Sequence, residues 1–533
     1  DAHGQAVVAA QGEGGGVDHL EALGQGALLP PGEAPAPFPD SEFVAPDQAL
    51  DVACHALEYR SPKYSAHAVL ARWQRVLLVI CFLVLLAGLI VAPGITGVLL
   101  IGLLTCSYLW ALVFRLLIFK RGARGGQLIK ISDEEARSFP ESELPTYTVL
   151  VPVFREPLIG ELVEALERID YPRDKLDIRL LLESGDTETI DAASRLRPRA
   201  HLTVVRVPKA DPQTKPKACN FGLLTSRGEL CTIYDAEDQP DPLQLRKAVI
   251  ALHRLGPAYA CVQARLGFYN SRQNLLTRWF TLDYGTWFSN ILPGLVDICA
   301  PIPLGGTSNH FRVAALKVVG AWDPWNVTED ADLGLRLHRA GYKVGVLDST
   351  TLEEANPDLI NWIRQRSRWY KGYLQTFLVH MRSPRLVTRQ LGWRAVADMA
   401  IFIAGTPLLS ALNGVFWILT LIWFTSQSPI VAGLFPPGIY HLGLMCMLVG
   451  NLAVMYMSLY VARVMERPDL LVAALLVPGY WLLMWVAAVK AVVQLIRNPS
   501  YWEKTAHGLH AKTGPPPLEK EPVQAAPEPG GAR

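Results

Sequence analysis

The sequence predicts an α/β domain with a parallel sheet, inserted between groups of membrane-spanning helices. Half of the 533 residues are hydrophobic, and long apolar runs are confined to two parts of the chain. Between those parts, short β-branched or leucine-rich runs alternate with helical stretches, which favours parallel strands joined by helices. The formal net charge is only +1. We therefore expect no nucleic-acid partner, because no overall basic field is present.

Both ends of the chain differ in composition from the rest. Residues 1–70 begin with a stretch rich in Gly, Ala and Pro that lacks periodic apolar positions, so we expect a disordered or linker region. The polar tail, 501–533, is interpreted as probable disorder on the same grounds. The chain starts at Asp1 without a visible signal peptide, and we expect a fragment or a processed form.

The segment 71–125 is predicted to be a transmembrane hairpin. Two apolar runs, 76–91 and 95–119, are separated by an Ala-Pro-Gly break, and each is long enough to cross or nearly cross a hydrocarbon core of roughly 30 Å. Basic residues flank both ends of the pair, which favours a cytoplasmic position for both ends. The alternative is a hairpin buried in a soluble core, which adjacent runs with basic flanks make less favourable.

The segment 126–355 is predicted to be the cytoplasmic α/β domain. Four short runs have the composition of strands: 147–154, 178–182, 202–207 and 230–234. Helical patterns at 159–169 and 242–255 lie between or after them. Such an alternation predicts a sheet with ligand-binding positions at the carboxyl ends of its strands.

The remaining chain becomes apolar again. We expect interfacial helices over 356–395 and transmembrane helices over 396–500, where three apolar runs occur at 399–424, 439–461 and 470–496. Three crossings would place the two ends of this region on opposite sides, whereas basic residues after the last run favour the inside. An even number is therefore favoured, but the sequence leaves the count open.

A cluster of acids follows the predicted strand at 230–234. Asp235, Glu237 and Asp238 lie within four positions, and carboxylates at a strand end attract a hard divalent cation. The alternative is an acidic turn in solvent. On this motif alone, the two interpretations are equally supported.

A second acidic pair stands before an amphipathic helix. Glu329 and Asp330 follow Thr328, a plausible helix N-cap. Acids at this position complement the helix dipole, and the stretch alone favours that structural explanation. Two further residues have similarly ordinary explanations: Lys217 could be solvated surface, and Glu183 could simply begin a turn after a strand.

The stretch QRSRW adds a basic and aromatic helix face. Gln365, Arg368 and Trp369 are spaced i, i+3 and i+4, so they share a face, whereas Arg364 and Arg366 point elsewhere. A guanidinium pairs with phosphate through two hydrogen bonds, and an indole ring can stack on a sugar. The alternative is an interfacial helix whose Arg and Trp side chains rest at the membrane surface.

Taken in order, the acids of DAED, the VTED stretch and QRSRW before membrane helices resemble the processive family-2 membrane glycosyltransferases. These include the bacterial synthases of cellulose, curdlan, chitin and hyaluronan. The resemblance covers roughly residues 70–510. It implies a Rossmann-like GT-A fold, a UDP-sugar donor, and Mg²⁺ or Mn²⁺. It also implies inverting transfer to a growing β-linked glycan, in a multi-pass protein of the inner membrane.

The resemblance assigns four residues to the donor. Glu183 and Lys217 match positions near the nucleotide and the diphosphate, and Asp235 and Glu237 match the D-x-D metal motif. Two departures from the family pattern are visible. Glu237 stands where the motif has Asp, and Glu183-Ser184 replaces a usual pair of aspartates.

Five residues are assigned by resemblance to the reaction itself. Asp330 matches the general base, and Glu329 is placed in the acceptor environment. Gln365, Arg368 and Trp369 match the Q-x-x-R-W substrate site, in which the Arg holds the diphosphate and the Trp lies beneath the acceptor sugar.

Three functions stay open at this point. The leading one is a processive synthase, with UDP-glucose as donor, that elongates a β-glycan and exports it through its own helices. The first alternative is a non-processive enzyme that glycosylates a membrane lipid. The second is an inactive membrane scaffold, which the two departures from the family pattern would favour.

Overall fold

The computed structural model describes residues 35–40, 44–45, 47–155, 159–197, 199–499 and 501–503. The disorder expected at the two ends falls largely outside these residues. Within 1–70, however, Ala49–Arg60 forms helix α1 and is not a linker. The Asn220 side chain donates to the carbonyl of Ala53 at 3.1 Å, and Leu57 is buried. The linker prediction was wrong there, because apolar side chains of α1 pack against the α/β domain.

The predicted hairpin is present as two long helices, α2 (Arg72–Val91) and α3 (Pro93–Gly122). The chain turns at Ala92, and Pro93 occupies the start of α3, where its missing N–H costs no hydrogen bond. Most side chains of α2 are exposed apolar groups, as expected for a helix in lipid.

One mixed sheet forms the centre of the α/β domain. Its described strands are β1 (Leu128–Ile129), β2 (Tyr147–Val153), β3 (Leu176–Glu183), β4 (Leu202–Val207), β5 (Leu230–Ile233), β6 (Gln239–Pro240), β7 (Tyr259–Phe268), β8 (Asn309–Arg312) and β9 (Lys343–Glu353). Their order is β1-β9-β7-β8-β5-β2-β3-β4, with β6 paired to β9. All four strands predicted from the sequence are confirmed as β2 to β5.

The sheet is parallel from β5 to β4, as predicted, but β8 runs antiparallel to both β5 and β7. The chain leaves β7 and enters β8 at the same edge of the sheet. Between these strands it runs through helices that contact α3. The fully parallel prediction was therefore wrong for this part.

Helices cover both faces of the sheet. They are α4 (Asp133–Ser138), α5 (Ile159–Glu167), α6 (Thr187–Ser194), α7 (Lys215–Leu224), α8 (Gln244–Leu255), α9 (Leu275–Thr286), α10 (Leu292–Asp297), α11 (Val313–Val318) and α12 (Glu329–Arg339). Along β2, Val149 and Val151 enter one hydrophobic core and Leu150 enters the other. Two separate cores follow from this alternation, which is why β2 and β3 have apolar residues on both of their faces.

Helix α13 (Leu359–His380) connects the α/β domain to the C-terminal helices. It begins after Asp358, whose carboxylate accepts the N–H of Asn361 at 2.7 Å. The following helices are α14 (Pro384–Met399), α15 (Thr406–Ser426), α16 (Pro429–Leu434), α17 (Pro437–Met445), α18 (Asn451–Val464), α19 (Leu471–Leu475) and α20 (Val477–Arg497). Tyr370 in α13 lies 3.1 Å from Ser410 in α15, oxygen to oxygen, so the two regions are in direct contact.

By length and composition, five continuous helical spans among the described residues could cross a membrane: Arg72–Val91, Pro93–Gly122, Pro384–Ser426, Pro437–Val464 and Val477–Arg497. Three of these spans follow α13, whereas the sequence favoured an even number of membrane crossings in this region. The Pro384–Ser426 span has 43 residues and contains a kink at Gly392, where φ is 78°. Its first part, up to Gly392, falls within 356–395, where interfacial helices are expected.

Candidate active site

A cavity of about 590 Å³ lies at the carboxyl ends of β2, β3 and β5 and continues between the membrane helices. Its wall includes Glu183 from the sheet and Tyr108, Asn413 and Asn451 from the membrane helices. Eight of the nine predicted site residues line it: Glu183, Asp235, Glu237, Glu329, Asp330, Gln365, Arg368 and Trp369. Residues far apart in the sequence therefore meet in one space.

The acidic turn after β5 is held by two contacts. The Asp238 carboxylate accepts the backbone N–H of Asp235 at 2.8 Å and a hydrogen bond from the Thr307 hydroxyl. Lys215 donates to the carboxylate of Asp235 and, at 2.8 Å, to the carbonyl of Gly306. Sequence reasoning missed Lys215, because the stretch QTKPKACN contains two lysines and only the second matched the family pattern.

That second lysine, Lys217, does not line the cavity. Its side chain is completely buried, and its Nζ lies 2.8 Å from a carboxylate oxygen of Glu183 and 3.2 Å from the carbonyl of Pro208. Glu183 does reach the cavity wall, and Gln213 also donates to it, at 3.4 Å. Lys217 thus fixes Glu183 in place, and its contact with a diphosphate stays a prediction.

The two acids at the start of α12 face the Gly306 loop. A Cβ built at Gly306 would lie 3.5 Å from Oδ2 of Asp330 and 4.0 Å from the Lys215 amine. Burial raises the pKa of Asp330 to about 6. Burial, together with the charge of Asp330, raises the pKa of Glu329 to about 8. A carboxylate whose pKa lies near neutrality is suited to accept a proton during a reaction.

Negative charge exceeds positive charge at this end of the cavity. Glu353, at the end of β9, was missed by sequence reasoning, although it lines the cavity too. Burial and the charges of Asp238, Glu237 and Asp235 raise its pKa well above the usual range. The charge of Lys215 acts in the opposite direction. A cation near these acids would favour their charged forms.

The side chains present fit a hard divalent cation. Asp235 and Glu237 both line the cavity and can offer carboxylate oxygens, which Mg²⁺ and Mn²⁺ accept. Among the described residues, no ready-made group of three or more acidic, His or Cys side chains is arranged to hold a metal. Such a cation would need further oxygen ligands from water or from phosphates, as is usual for Mg²⁺.

The shared face of α13 predicted from QRSRW is confirmed. Gln365, Arg368 and Trp369 all line the cavity, and Arg364 is exposed elsewhere. Oε1 of Gln365 and Nε of Arg368 are buried and lack a hydrogen-bond partner among the described residues. The Arg368 guanidinium lies 5.1 Å from the ring centroid of Trp502. Buried polar atoms without protein partners are expected where a ligand supplies them.

Arg366, which was predicted to point away from the shared face, lines the same cavity. It forms an ion pair with Asp283 at 2.6 Å, donates to the Tyr480 hydroxyl at 2.9 Å, and stacks near the Trp369 ring. Sequence reasoning missed this arrangement, since Asp283 and Tyr480 are distant in the chain and belong to no recognisable motif.

Residues 230–486 match the family model described as glycosyl transferase family group 2. The matched segment is similar to that family over just under half of the chain. The match extends from β5 to α20 and includes the acids of DAED and VTED as well as QRSRW. Together with the sheet flanked by helices, it indicates that the α/β part of this chain is a GT-A-like domain.

Among relatives, the chain is 28% identical over 261 residues to a β-monoglucosyldiacylglycerol synthase of Synechocystis sp., covering 48% of this chain and 52% of the relative. It is also 30% identical over 261 residues to glucomannan 4-β-mannosyltransferase 2 of Arabidopsis thaliana, covering 46% of this chain and 47% of that relative. The chain thus spans about half the length of these curated relatives. One similar solved structure is that of the mannosyltransferase PcManGT from Pyrobaculum calidifontis in complex with GDP-Man and Mn²⁺. The similarity covers 71% of this chain and 98% of that chain, with 18% sequence identity and a TM-score of 0.43.

Proposed function

We propose that this glycosyltransferase moves a sugar from a UDP-sugar, with UDP-glucose as the first candidate, onto a growing β-linked glycan. The catalytic domain would lie on the cytoplasmic side of the inner membrane, and the product would leave through the membrane helices. One observation supports this proposal above all. A single cavity brings the strand-end acids opposite the cation of α13 and continues between helices that could span a membrane.

The donor would bind at the acidic end. A divalent cation held by Asp235 and Glu237 would neutralise the leaving diphosphate. Arg368 offers a planar guanidinium to the same group, and its unpartnered Nε makes such a contact favourable. Gln365 contributes a further polar atom, and Glu183 lies at the wall where the nucleotide would be held.

Transfer would then proceed as a single displacement. Asp330 accepts the proton of the acceptor hydroxyl while the hydroxyl oxygen forms a bond to the anomeric carbon. The bond from that carbon to the diphosphate oxygen breaks, and UDP leaves with the electron pair. Attack from the side opposite UDP inverts the centre, so an α-linked donor gives a β-linked product. Glu329, with a pKa of about 8, is mainly protonated at neutral pH and can donate a hydrogen bond to the acceptor.

The acceptor would lie against Trp369, on the side of the cavity that leads to the membrane helices. An aromatic ring presents a flat apolar surface that can hold a sugar in line for attack. The relative named glucomannan 4-β-mannosyltransferase is consistent with a polysaccharide product. The repeated use of one site for each added sugar would make the enzyme processive.

A lipid acceptor is the second candidate. It is supported by the relative named β-monoglucosyldiacylglycerol synthase and by the membrane-helix residues in the cavity wall, such as Tyr108 and Leu409. In this case, one sugar is added per acceptor and no polymer forms.

Both candidates are tested by incubating purified protein with UDP-glucose, other UDP-sugars or GDP-mannose in the presence of Mg²⁺ or Mn²⁺. Release of nucleoside diphosphate measures transfer, and the size of the product separates a polymer from a single-sugar glycolipid. Digestion with linkage-specific hydrolases then gives the linkage. Absence of release with every donor would contradict both candidates and favour the inactive scaffold.

A further inference from the structure

The ion pair between Arg366 and Asp283 lines the same cavity as the acidic cluster but includes none of its residues. Asp283 belongs to α9, Arg366 to α13, and the Tyr480 hydroxyl of α20 lies 3.4 Å from the same Asp283 oxygen, Oδ2. The side chains of Asp283 and Arg366 are 21% and 10% exposed, and both line the cavity. The pair is thus neither a surface salt bridge nor sealed in a core.

Aromatic rings enclose Arg366. Its guanidinium carbon lies 4.8 Å from the ring centroid of Trp369, 5.3 Å from Phe280 and 5.4 Å from Trp362. Stacking of this kind stabilises both partners, and it restricts the orientation of the Trp369 ring. Because the guanidinium is itself fixed by Asp283, the ring and the carboxylate hold a constant relative position.

Asp283 uses only one of its two oxygens in the protein. Oδ2 accepts from Arg366 at 2.6 Å, whereas Oδ1 makes no hydrogen bond with any residue in the described part of the chain. Asp283 and Trp369 both contact Arg366 and both line the cavity. A carboxylate oxygen and a flat aromatic ring in one cavity suit a molecule that combines hydroxyl donors with an apolar face. Sugars have this combination. An acyl chain, by contrast, would displace water from the carboxylate oxygen without offering it a hydrogen-bond donor.

We propose that Asp283, fixed by Arg366, is an acceptor subsite that binds a hydroxyl of a sugar resting on the Trp369 ring. The acceptor of this glycosyltransferase therefore ends in a sugar and does not present a bare lipid hydroxyl. This inference rests on the proposed function and adds to it the chemical class of the acceptor. Arg366 acts through Asp283 and Trp369 and is a positioning residue.

Removing one charge of the pair alone is expected to lower the stability of the folded protein, because the other charge would stay unpaired. Asp283→Asn would leave the Arg366 cation without a counter-charge, and Arg366→Met would leave the carboxylate unpaired. The double variant Arg366→Met/Asp283→Asn removes both charges together and is the form in which folding is best preserved. Arg364→Met serves as the control, because Arg364 is exposed on the same helix and does not line the cavity.

The test measures three quantities on the purified full chain: thermal stability, affinity for UDP with Mn²⁺, and affinity for cellotetraose and octyl β-glucoside. We expect Asp283→Asn and the double variant to bind both saccharides about 10- to 100-fold more weakly, the range of a hydrogen bond to a charged group. UDP affinity should stay within about twofold of that of the unsubstituted protein, because the proposed donor contacts are made by Asp235, Glu237 and Arg368 and not by this pair. Arg364→Met should change none of the three quantities.

A double variant that is stable and binds the saccharides as tightly as the unsubstituted protein overturns the subsite. So does an unsubstituted protein that binds neither saccharide, whether or not it transfers sugar to a lipid. A third outcome separates the two proposals. If the protein binds saccharides through Asp283 but releases UDP from no donor, the subsite is supported and the proposed function is overturned. The two proposals thus fail on different measurements.

Discussion

The two ends of the cavity differ in how far the protein satisfies its own charges. At the donor end, the acids after β5 and at the start of α12 outnumber the nearby cations Lys215 and Arg368, and the Arg368 Nε lacks a partner among the described residues. At the acceptor end, Arg366 has a carboxylate, a hydroxyl and several rings around it. The first end offers charged groups to a ligand, whereas the charge of Arg366 at the second end is already paired. Nε of Arg366, like that of Arg368, lacks a partner among the described residues. The two arginines, two positions apart, differ in their charge partners: Arg366 pairs with the Asp283 carboxylate, whereas no carboxylate of the described residues lies within ion-pair distance of Arg368.

The largest effect is expected from Asp330→Asn, which removes the proton acceptor and keeps the side-chain shape. Loss of a general base typically costs about 10² to 10⁴ in rate. Transfer should fall by that factor, while UDP affinity with Mn²⁺ stays close to that of the unsubstituted protein. The measurement pairs initial rates with calorimetric UDP titration. A collapse of UDP affinity would place Asp330 among the donor ligands.

The next effect concerns the cation of the donor end. Arg368→Ala removes a guanidinium that can bond to the diphosphate, and hydrogen bonds to charged groups contribute about 1.5–3 kcal/mol. UDP affinity should therefore fall roughly 10- to 100-fold. Arg364→Ala, on the exposed face of the same helix, is the matched control and should leave UDP affinity unchanged. Equal affinities for UDP in the two variants would contradict the donor role of Arg368.

A smaller effect is expected at the ring between the two ends. Trp369→Ala should leave UDP binding intact and slow elongation by at least about fivefold, since a stacking contact is worth roughly 1 kcal/mol beyond area burial. Trp369→Phe keeps a ring and should retain part of the activity. Normal elongation by Trp369→Ala would return QRSRW to its alternative interpretation as a membrane-surface helix.

The smallest effect is a pH dependence of stability from the acids at the donor end. Burial and the Asp330 charge raise the pKa of Glu329 from 4.5 to about 8, so the folded state binds this proton more tightly than the unfolded state. The resulting stability is fully present below pH 4.5 and is lost as pH rises through about 8. Glu329→Gln should therefore flatten the decline of the melting temperature over this range. An unchanged pH profile in Glu329→Gln would show that Glu329 is not the group responsible.

Sequence reasoning predicted the elements whose signals are local. The runs that became β2, β3 and β5 are largely apolar because both sheet faces are covered there, whereas β4 is an edge strand with exposed side chains. The shared face of Gln365, Arg368 and Trp369 follows from helix spacing alone. What it missed depends on contacts between distant residues. The antiparallel β8 depends on where the chain returns to the sheet, and the pairing of Arg366 with Asp283 joins α13 to α9. Similarly, nothing in QTKPKACN shows that Lys215, and not Lys217, reaches the cavity.

The central claim is that the donor end of the cavity is completed by a nucleoside diphosphate together with a divalent cation. Calorimetric titration of the purified protein with UDP, with and without Mn²⁺, tests it most directly, using Asp235→Asn as the variant. The unsubstituted protein should bind UDP much more tightly with Mn²⁺, and Asp235→Asn should lose that dependence while remaining folded. UDP binding of equal strength with and without the cation, or an unchanged Mn²⁺ dependence in Asp235→Asn, would contradict the account.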